Sequence, residues 1–496
     1  MLNNRYWLIV LMACFTSCSK VTVPDFEQAE HLPAGGMTGK GLSDRSFVQV
    51  GRNVDRKEEL LFWTGFSLFR DPWVIAPSST KDRDGLGPLF NTRSCISCHL
   101  SGGKGPAPQE GNSKPTALVI RFGSGEDGLF KDPVYGDQLQ PRAIAITHSS
   151  IKPDLLGEAK LQLGYQEIYG EYADGSTYIL RQPTYQLTDL AYGALDKRTK
   201  LSPRFSPVIY GVGLLDAISE QDLLAQEDIN DTNQDGISAK YNRVPIAPSD
   251  HNTAEFHGAL ENSKDTALIE TARMSAARMG IGRFGLKAKH PSLHQQVAAA
   301  FRDDLGITST SFMSESCTTK QPNCQAASVV GGHQSVEIPD KLLDLVTQFN
   351  QLIAVPPARN LDSGKAQQGR ELFYKIGCES CHTASYTTDI AYPHESLANQ
   401  TIWPYTNLAL HDMGEGLADG VNEFEANGRE WRTPPLWGIG ARKNIRSENL
   451  YLHDGRAKTV AEAILWHGGE AKISQQHFIQ LNQQQRNALL AFLDAI

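Results

Sequence analysis

Hydrophobic and polar positions repeat with two different periods along the chain, and each period predicts one kind of element. Apolar residues spaced three and four positions apart predict helices over 265–278 and 339–354, and also at the end of the chain. The apolar residues of that last helix are Leu489, Phe492, Leu493 and Ile496. Strict alternation predicts strands at 116–122 and 160–165, and Asp174-Gly175 predicts a hairpin turn. The pattern indicates a mainly α protein with a small β insertion.

The first residues have the pattern of an export signal. Residues 6–15 form a short apolar run, too short to cross a bilayer of about 30 Å but suited to the core of a signal peptide. Small residues then precede Cys18, which resembles the lipobox of bacterial lipoproteins, and Cys14 is a second candidate. We therefore predict a lipoprotein signal peptide over 1–17, acylation of Cys18 and a location on the periplasmic side of a bacterial membrane. Cleavage without acylation is the alternative and would leave a soluble periplasmic protein.

Composition is that of a globular protein and excludes one class of partner. The 496 residues include 47 Lys+Arg and 56 Asp+Glu, which gives a net charge of −9, and 40% of them are hydrophobic. A chain of this length has room for about three domains, or for two with long insertions. An acidic chain without a run of Lys or Arg lacks the basic face that phosphate binding requires, so we exclude nucleic acid as a partner.

Four of the eight cysteines lie in two copies of one motif, Cys95-Ile-Ser-Cys98-His99 and Cys378-Glu-Ser-Cys381-His382. Cysteines three positions apart lie on one helical face and can both add to the vinyl groups of a haem, while the adjoining histidine binds the iron. A thioredoxin-like redox pair is the main alternative, but it does not require the histidine. We therefore predict two covalent haems c, with His99 and His382 as the proximal iron ligands.

Cys317 and Cys324 remain once the signal and motif cysteines are assigned. They lie in a polar loop, and in an exported protein such a close pair predicts a local disulfide. A metal site is the alternative, but the sequence around them supplies no further soft ligands.

A short acidic segment is another candidate metal site. Asp231, Asn233 and Asp235, followed by Gly236, match the first half of an EF-hand calcium loop. The twelfth position of such a loop is a bidentate glutamate, whereas this chain has Asn242 there. The segment predicts either a calcium site or an Asp/Asn-rich turn without metal.

A shared helix sequence precedes both haem motifs. Gly65-Phe-Ser-Leu-Phe69 lies before the first motif and Gly369-Arg-Glu-Leu-Phe373 before the second. Glycine in such a helix permits the close approach of a second helix, and we expect the C-terminal helix to pack across Gly369 and Phe373. We predict an N-terminal haem c domain over 18–337, with long loop and small β insertions, and a C-terminal cytochrome c domain over 338–496.

Longer motifs resemble those of a known family. They are Asp84-Gly-Leu-Gly-Pro-Leu-Phe-Asn-Thr-Arg-Ser-Cys95, Arg181-Gln-Pro-Thr-Tyr, Gly280-Ile-Gly-Arg-Phe-Gly285, His411-Asp-Met-Gly-Glu-Gly, Arg432-Thr-Pro-Pro-Leu-Trp437 and His453-Asp-Gly-Arg-Ala457. They resemble the bacterial di-haem oxidoreductases of the peroxidase type, a family also named thiol oxidoreductases. The resemblance runs from about residue 30 to the C-terminus, apart from 248–275. More distantly, the chain is similar to di-haem cytochrome c peroxidases and to the di-haem enzyme of methylamine utilisation. This implies two cytochrome c-like domains with one haem each.

The resemblance to the peroxidases also implies a sixth iron ligand in the C-terminal domain. Those enzymes place a methionine on the helix that follows the His453-Asp454-Gly455 motif, and this chain has His467 there. His467 would give a bis-histidine haem with a lower potential; Met413 is the rival ligand. His453 is expected to orient groups beside the haem. The resemblance singles out neither a sixth ligand for the first haem nor a catalytic acid or base.

The function that the resemblance implies is the reduction of hydrogen peroxide, with one haem as the electron entry and the other as the reaction site. The expected partners are a periplasmic electron donor, such as a small cytochrome or a cupredoxin, and the membrane that holds the lipid anchor. Two other functions stay open. One is a pure electron carrier, and the other is a redox helper that acts on protein thiols, protein side chains or iron.

Overall fold

The computed structural model describes residues 22–41, 47–147, 150–247, 278–330, 336–445 and 449–496. The predicted signal peptide, with Cys14 and Cys18, lies outside the described residues, as does nearly all of the helix predicted over 265–278. Within the described ranges, no helix is both long and apolar enough to cross a membrane.

Ten α-helices and thirteen β-strands occur in this described part of the chain. The helices are α1 (Arg56–Arg70), α2 (Val212–Asp216), α3 (Glu220–Leu224), α4 (Leu293–Leu305), α5 (Pro322–Val330), α6 (Asp340–Gln351), α7 (Gly364–Lys375), α8 (Val460–Leu465), α9 (Lys472–Gln480) and α10 (Gln483–Ala495). The strands are β1 (Leu89–Phe90), β2 (Leu118–Gly123), β3 (Arg142–Thr147), β4 (Ser150–Leu156), β5 (Lys160–Glu171), β6 (Thr177–Thr188), β7 (Lys200–Phe205), β8 (Arg243–Pro245), β9 (Met279–Ile281), β10 (Tyr386–Thr387), β11 (Thr401–Ile402), β12 (Leu410–Asp412) and β13 (Glu430–Arg432).

The mainly α fold class predicted from the sequence is wrong. The structure is 30% helical with 18% strand, and its strands form several small antiparallel sheets. Seven of the thirteen strands have only two or three residues. A strand of that length is too short for an alternating pattern to appear in the sequence, so the hydrophobic period revealed only the longer strands.

The helix that precedes each haem motif crosses a later helix at a glycine. A Cβ atom on Gly65 of α1 would overlap the carbonyl oxygen of Leu345 in α6, and one on Gly369 of α7 would overlap that of Ala488 in α10. In the second pair the rings of Phe373 and Phe492 are 5.4 Å apart. The C-terminal helix therefore packs where the sequence predicted, and α1 and α6 form an equivalent pair.

Replacing Gly369 with alanine is expected to destabilise the fold by about 1–3 kcal/mol, because α10 must move away from α7 to make room for the new methyl group. Gly364 is the matched control, since it lies in the same helix with no atom close to the position of a Cβ. Chemical denaturation of both variants measures the difference. Equal stabilities for Gly369→Ala and Gly364→Ala would show that the close crossing is not needed.

The long hairpin of β5 and β6 contacts the C-terminal part of the chain at two places. Its strands pair from Lys160↔Thr188 to Glu171↔Thr177, and the predicted Asp174-Gly175 turn lies in the connection between them. Arg181 donates hydrogen bonds to the carbonyl oxygen of Arg456, at 3.0 Å from Nη2. The tip is held by Arg486 of α10, which pairs with Asp174 at 2.8 Å. The hairpin thus supports the loop that leads into α8.

The N-terminal described segment packs against the C-terminal half of the chain. Arg370 of α7 forms a buried ion pair with Glu30 at 3.1 Å and also donates a hydrogen bond to the carbonyl oxygen of Pro24. The backbone amide of Trp403 donates to the carbonyl oxygen of Pro33 at 2.7 Å. The residues around Pro24 and Pro33 therefore lie beside the C-terminal half of the chain, at α7 and at Trp403.

The predicted division into domains at 337/338 stays a prediction. The largest buried apolar cluster includes residues of α1, α4 and α6, among them Phe62, Phe301 and Phe349. A second cluster contains residues of α7 and α10, among them Phe373 and Phe492. α6 follows the predicted boundary and packs on α1.

Candidate haem-binding site

One continuous cavity of about 490 Å³ is lined by both C-x-x-C-H motifs. Cys95, Cys98 and His99 line one part of it, and Cys378, Cys381 and His382 line another. His467 and Met413, the two candidates for the sixth ligand, also line the cavity. The structure therefore brings together the residues that the sequence assigned to the two haems.

The two motifs have the same local structure. Each begins with a 3₁₀ turn, Cys95–Ser97 in one and Cys378–Ser380 in the other. The amide of His99 donates to the carbonyl oxygen of Cys95, and that of His382 to Cys378, both at 3.0 Å. Burial raises the pKa of Cys95 to about 12 and that of Cys378 further, so these thiols are neutral in an apolar environment.

The histidine of each motif is oriented by the backbone. The Nδ1–H of His99 donates to the carbonyl oxygen of Pro207 at 2.9 Å, and that of His382 donates to Tyr405 at 2.9 Å. Burial lowers the pKa of His99 to about 4 and that of His382 to about 3. Both rings are therefore neutral, and the lone pair of each Nε2 is available to a metal ion.

The ring of His467 is oriented by a backbone carbonyl group in the same way as the rings of His99 and His382. It follows α8, whose first turn is capped by the Thr459 hydroxyl, and its Nδ1–H donates to the carbonyl oxygen of Ala463 at 2.8 Å. Burial lowers the pKa of His467, and its proximity contributes to the lowered pKa of His382. Met413 lines the same cavity, and the choice of His467 over Met413 as the sixth ligand stays a prediction.

A network of buried ion pairs surrounds the cavity. Arg121 pairs with Asp303 at 2.7 Å and with Asp137 at 3.1 Å, while Arg204 pairs with Glu423 at 3.1 Å. Burial alone would raise the pKa of Glu423, but the neighbouring Arg and Lys charges outweigh it and lower this pKa to about 2. These carboxylates are therefore fixed anions that hold the cavity wall in place.

Replacing Glu423 with glutamine is expected to lower the free energy of unfolding at neutral pH by about 3 kcal/mol, because the buried Arg204 charge loses its nearer carboxylate and keeps only Asp419 at 3.7 Å. The folded-state pKa of Glu423 lies below its ordinary value, so its contribution is present above about pH 4.5 and is lost as the pH falls toward about 2. Denaturant titrations across this pH range measure both effects. The matched control is Glu371→Gln, which removes an exposed pair with Lys375 and should cost less than about 0.5 kcal/mol. A Glu423→Gln protein as stable as that control would contradict the prediction.

Trp431 and His453 form a stacked pair in the cavity wall. Their ring centroids are 3.8 Å apart with 10° between the planes. Lys287 and Arg204 lie over the Trp431 ring at 4.5 Å and 5.1 Å. The carbonyl oxygen of His453 accepts a hydrogen bond from the amide of Phe205 at 2.6 Å. The stack fixes the orientation of both rings, and the role expected for His453 beside the haem stays a prediction. Nothing in the sequence pattern pointed to Trp431.

His411 lies next to the second motif and has two polar partners. Its Nδ1 is 2.8 Å from the Glu470 carboxylate, and its Nε2 is 3.0 Å from the Asn407 amide. The backbone amide of Asn407 donates to the carbonyl oxygen of Cys381 at 3.0 Å. Both ring nitrogens of His411 are therefore occupied, which suits a packing role.

The candidate calcium segment is an exposed turn whose side chains bind its own backbone. Asp231 accepts a hydrogen bond from the amide of Gly236 at 3.1 Å, and Asn233 accepts one from Asp235 at 2.9 Å. Asn242 is buried and donates to the carbonyl oxygens of Lys287 and Glu423. No group of three or more His, Cys, Asp and Glu side chains within the described ranges is arranged to hold a metal ion, and calcium binding stays a prediction.

Cys317 and Cys324 are joined by a disulfide, with their Cα atoms 5.7 Å apart. The loop between them is anchored by Gln321, whose side chain donates to the buried carboxylate of Glu158. The disulfide therefore closes the loop at the start of α5, and the hydrogen bond from Gln321 ties this loop to the β-rich part of the chain.

Comparison with protein families gives a match for the C-terminal part of the chain. The model of the family described as "Di-haem oxidoreductase, putative peroxidase" matches residues 267–496, which include the second haem motif and His467. No curated protein and no solved structure matches the chain. The matched residues belong to the di-haem oxidoreductase family that the sequence motifs predicted.

Proposed function

We propose that this protein is an exported di-haem c-type oxidoreductase that reduces hydrogen peroxide. The haems would be attached to Cys95 and Cys98 and to Cys378 and Cys381. The family match supports haem binding and peroxidase-type oxidoreductase activity. The predicted signal peptide supports export, with Cys18 as a lipid anchor and a small cytochrome or cupredoxin as the electron donor.

The residues around the cavity fit two c-type haems. Each motif presents two thiols and a neutral imidazole to one apolar space, which is the donor set that covalent haem attachment requires. A haem removes a large apolar surface from water, and aromatic side chains such as Phe69 and Phe373 line the space that would receive it.

The observation that carries the proposal is the anchoring of His99 and His382 through Nδ1. A hydrogen bond from Nδ1–H to a backbone carbonyl fixes the ring orientation and makes Nε2 a stronger metal ligand. Since this arrangement occurs at both motifs, we infer that both histidines bind iron.

We propose different roles for the two sites. When bound, each haem supplies an iron that changes its oxidation state by one electron. His382 and His467 would together hold the iron of the C-terminal haem, which suits electron entry. The N-terminal site, for which the sequence supplies no sixth ligand, would bind the peroxide. The ion pairs around Arg121 and Glu423 would keep the cavity rigid while it does so.

The test is the spin state of the purified holoprotein together with a peroxide assay. Electron paramagnetic resonance should show one high-spin haem and one low-spin haem, and a reduced electron donor should be oxidised when hydrogen peroxide is added. Two low-spin haems without peroxide turnover, including after partial reduction, would favour an electron carrier. Turnover of protein thiols or ferrous iron without peroxide turnover would favour the redox helper.

A further inference from the structure

Each haem motif is followed, farther along the chain, by a set of three helices. After the first motif the set is α4, α5 and α6, which comes after the short helices α2 and α3, and after the second motif it is α8, α9 and α10. α6 and α10 are each packed against the helix that precedes its motif. α4 and α8 also begin alike. The Ser292 hydroxyl accepts a hydrogen bond from the amide of Gln295 at 3.2 Å, and the Thr459 hydroxyl accepts one from Glu462 at 3.1 Å. α4 is therefore the counterpart of α8.

The counterpart helices present equivalent positions to the cavity. Positions one, four, five and eight after the N-cap line it in both cases. In α8 and the residues after it these are Val460, Ala463, Ile464 and His467. In α4 they are Leu293, Gln296, Val297 and Ala300. Ala300 thus occupies the position that His467 has in the C-terminal site, and a methyl group replaces the imidazole.

Three buried polar atoms near the start of α4 have no hydrogen-bond partner, namely Nδ1 of His290, Nδ1 of His294 and Oε1 of Gln296. Of these three side chains, His290 and Gln296 line the cavity and His294 does not. His290 is only 6% exposed, and its backbone is paired with Phe284 on both its amide and its carbonyl. Burial of unsatisfied polar atoms costs free energy unless a ligand or water satisfies them.

We propose that Ala300 marks the side of the N-terminal haem that would lack a protein ligand, which we call the open side, and that His290 and Gln296 form the polar part of a small-ligand pocket beside it. This inference rests on the proposed function and names the site where peroxide binds. Gln296 Oε1 is an acceptor, and so is His290 Nδ1 when Nε2 carries the proton. Hydrogen peroxide has two O–H donors, one for each of these atoms. Burial lowers the pKa of His290 to about 3, which keeps its ring neutral.

The first test replaces Ala300 with histidine in the holoprotein. The new imidazole occupies the position in α4 that is equivalent to His467. The high-spin signal of the N-terminal haem should therefore disappear, and a second bis-histidine spectrum should replace it. The affinity for cyanide, used as the probe ligand, should fall by at least tenfold. Ala300→Val is the matched control, because it fills space without supplying a ligand. It should lower cyanide affinity and leave the haem high-spin.

The second test replaces the two polar side chains. His290→Ala and Gln296→Ala should each raise the KM for hydrogen peroxide by about tenfold, which corresponds to the loss of one hydrogen bond of about 1.4 kcal/mol. Neither change should remove the high-spin signal. His294→Ala is the control, since His294 lies in the same helix but pairs with Asp344 at 3.3 Å instead of lining the cavity. It should leave KM unchanged.

The outcomes separate this inference from the proposed function. Fewer than two covalent haems per wild-type chain would overturn the proposed function itself. Two haems with a high-spin signal and a cyanide affinity that Ala300→His and Ala300→Val both leave unchanged would overturn only the assignment of the open side. Equal KM values for His290→Ala, Gln296→Ala and His294→Ala would show that His290 and Gln296 do not bind the peroxide. If Ala300→His fails to fold, Ala300→Val and the two alanine variants still decide the matter.

Discussion

Replacing Cys378 and Cys381 together with alanine is expected to yield a protein with one covalent haem per chain instead of two. The same loss is expected for the Cys95→Ala/Cys98→Ala variant, because each pair would form the two thioether bonds of one haem. The pyridine haemochrome spectrum, divided by protein concentration, measures the ratio. The yield of folded protein should fall as well, since a cofactor that binds only the folded state stabilises it.

The control for these variants is the other cysteine pair of the mature chain. Cys317→Ala/Cys324→Ala removes the disulfide, which lies outside both motifs, and should retain two haems. A ratio that stays at two in either motif variant would rule out covalent attachment at that motif. A ratio of zero in both would show that the two sites assemble only together.

His467→Met is expected to raise the reduction potential of the C-terminal haem and to leave that of the other haem nearly unchanged. Thioether sulfur donates less to ferric iron than imidazole does, so the oxidised state loses stabilisation. His467→Ala should open the same iron and add a high-spin signal, while both haems remain attached. Spectroelectrochemical titration measures the potentials, and electron paramagnetic resonance measures the spin states.

Met413→Ala is the matched control, because Met413 lines the same cavity and is the rival ligand. It should leave both the potential and the spin state as in the wild type. If the spectra of His467→Ala match the wild type and those of Met413→Ala do not, the sulfur of Met413 is the ligand and the anchored imidazole is not.

The sequence was most informative where chemistry requires a fixed spacing. The C-x-x-C-H motifs pointed to residues that the structure brings to one cavity, and the glycine of the G-x-x-L-F segment anticipated the crossing of α7 with α10. The close pair Cys317 and Cys324 also forms a disulfide in the structure. These features are local or depend on one residue type that has few substitutes.

The rest depended on contacts between residues far apart in the chain. The prediction of the fold class failed because strands of two or three residues show no hydrophobic period in the sequence. The ion pair of Arg121 with Asp303 joins positions 182 apart in the chain, which no local pattern indicates. The parallel between Ser292–Ala300 and Thr459–His467 was present in the sequence as a shared cap and spacing. It gained meaning only once both helices were seen to line one cavity, so His290 and Gln296 were missed.

The packing of the N-terminal segment on α7 has a consequence for how the molecule would sit at a membrane. The carbonyl oxygen of Pro24 accepts a hydrogen bond from Arg370, and Pro24 lies six residues after Cys18. An extended chain spans at most about 3.5 Å per residue. An acyl group on Cys18 would hold α7 within about 20 Å of the lipid surface. The second haem motif follows α7 directly in the chain, so it would also be held near the bilayer. An electron donor confined to the same membrane would then find it by a two-dimensional search.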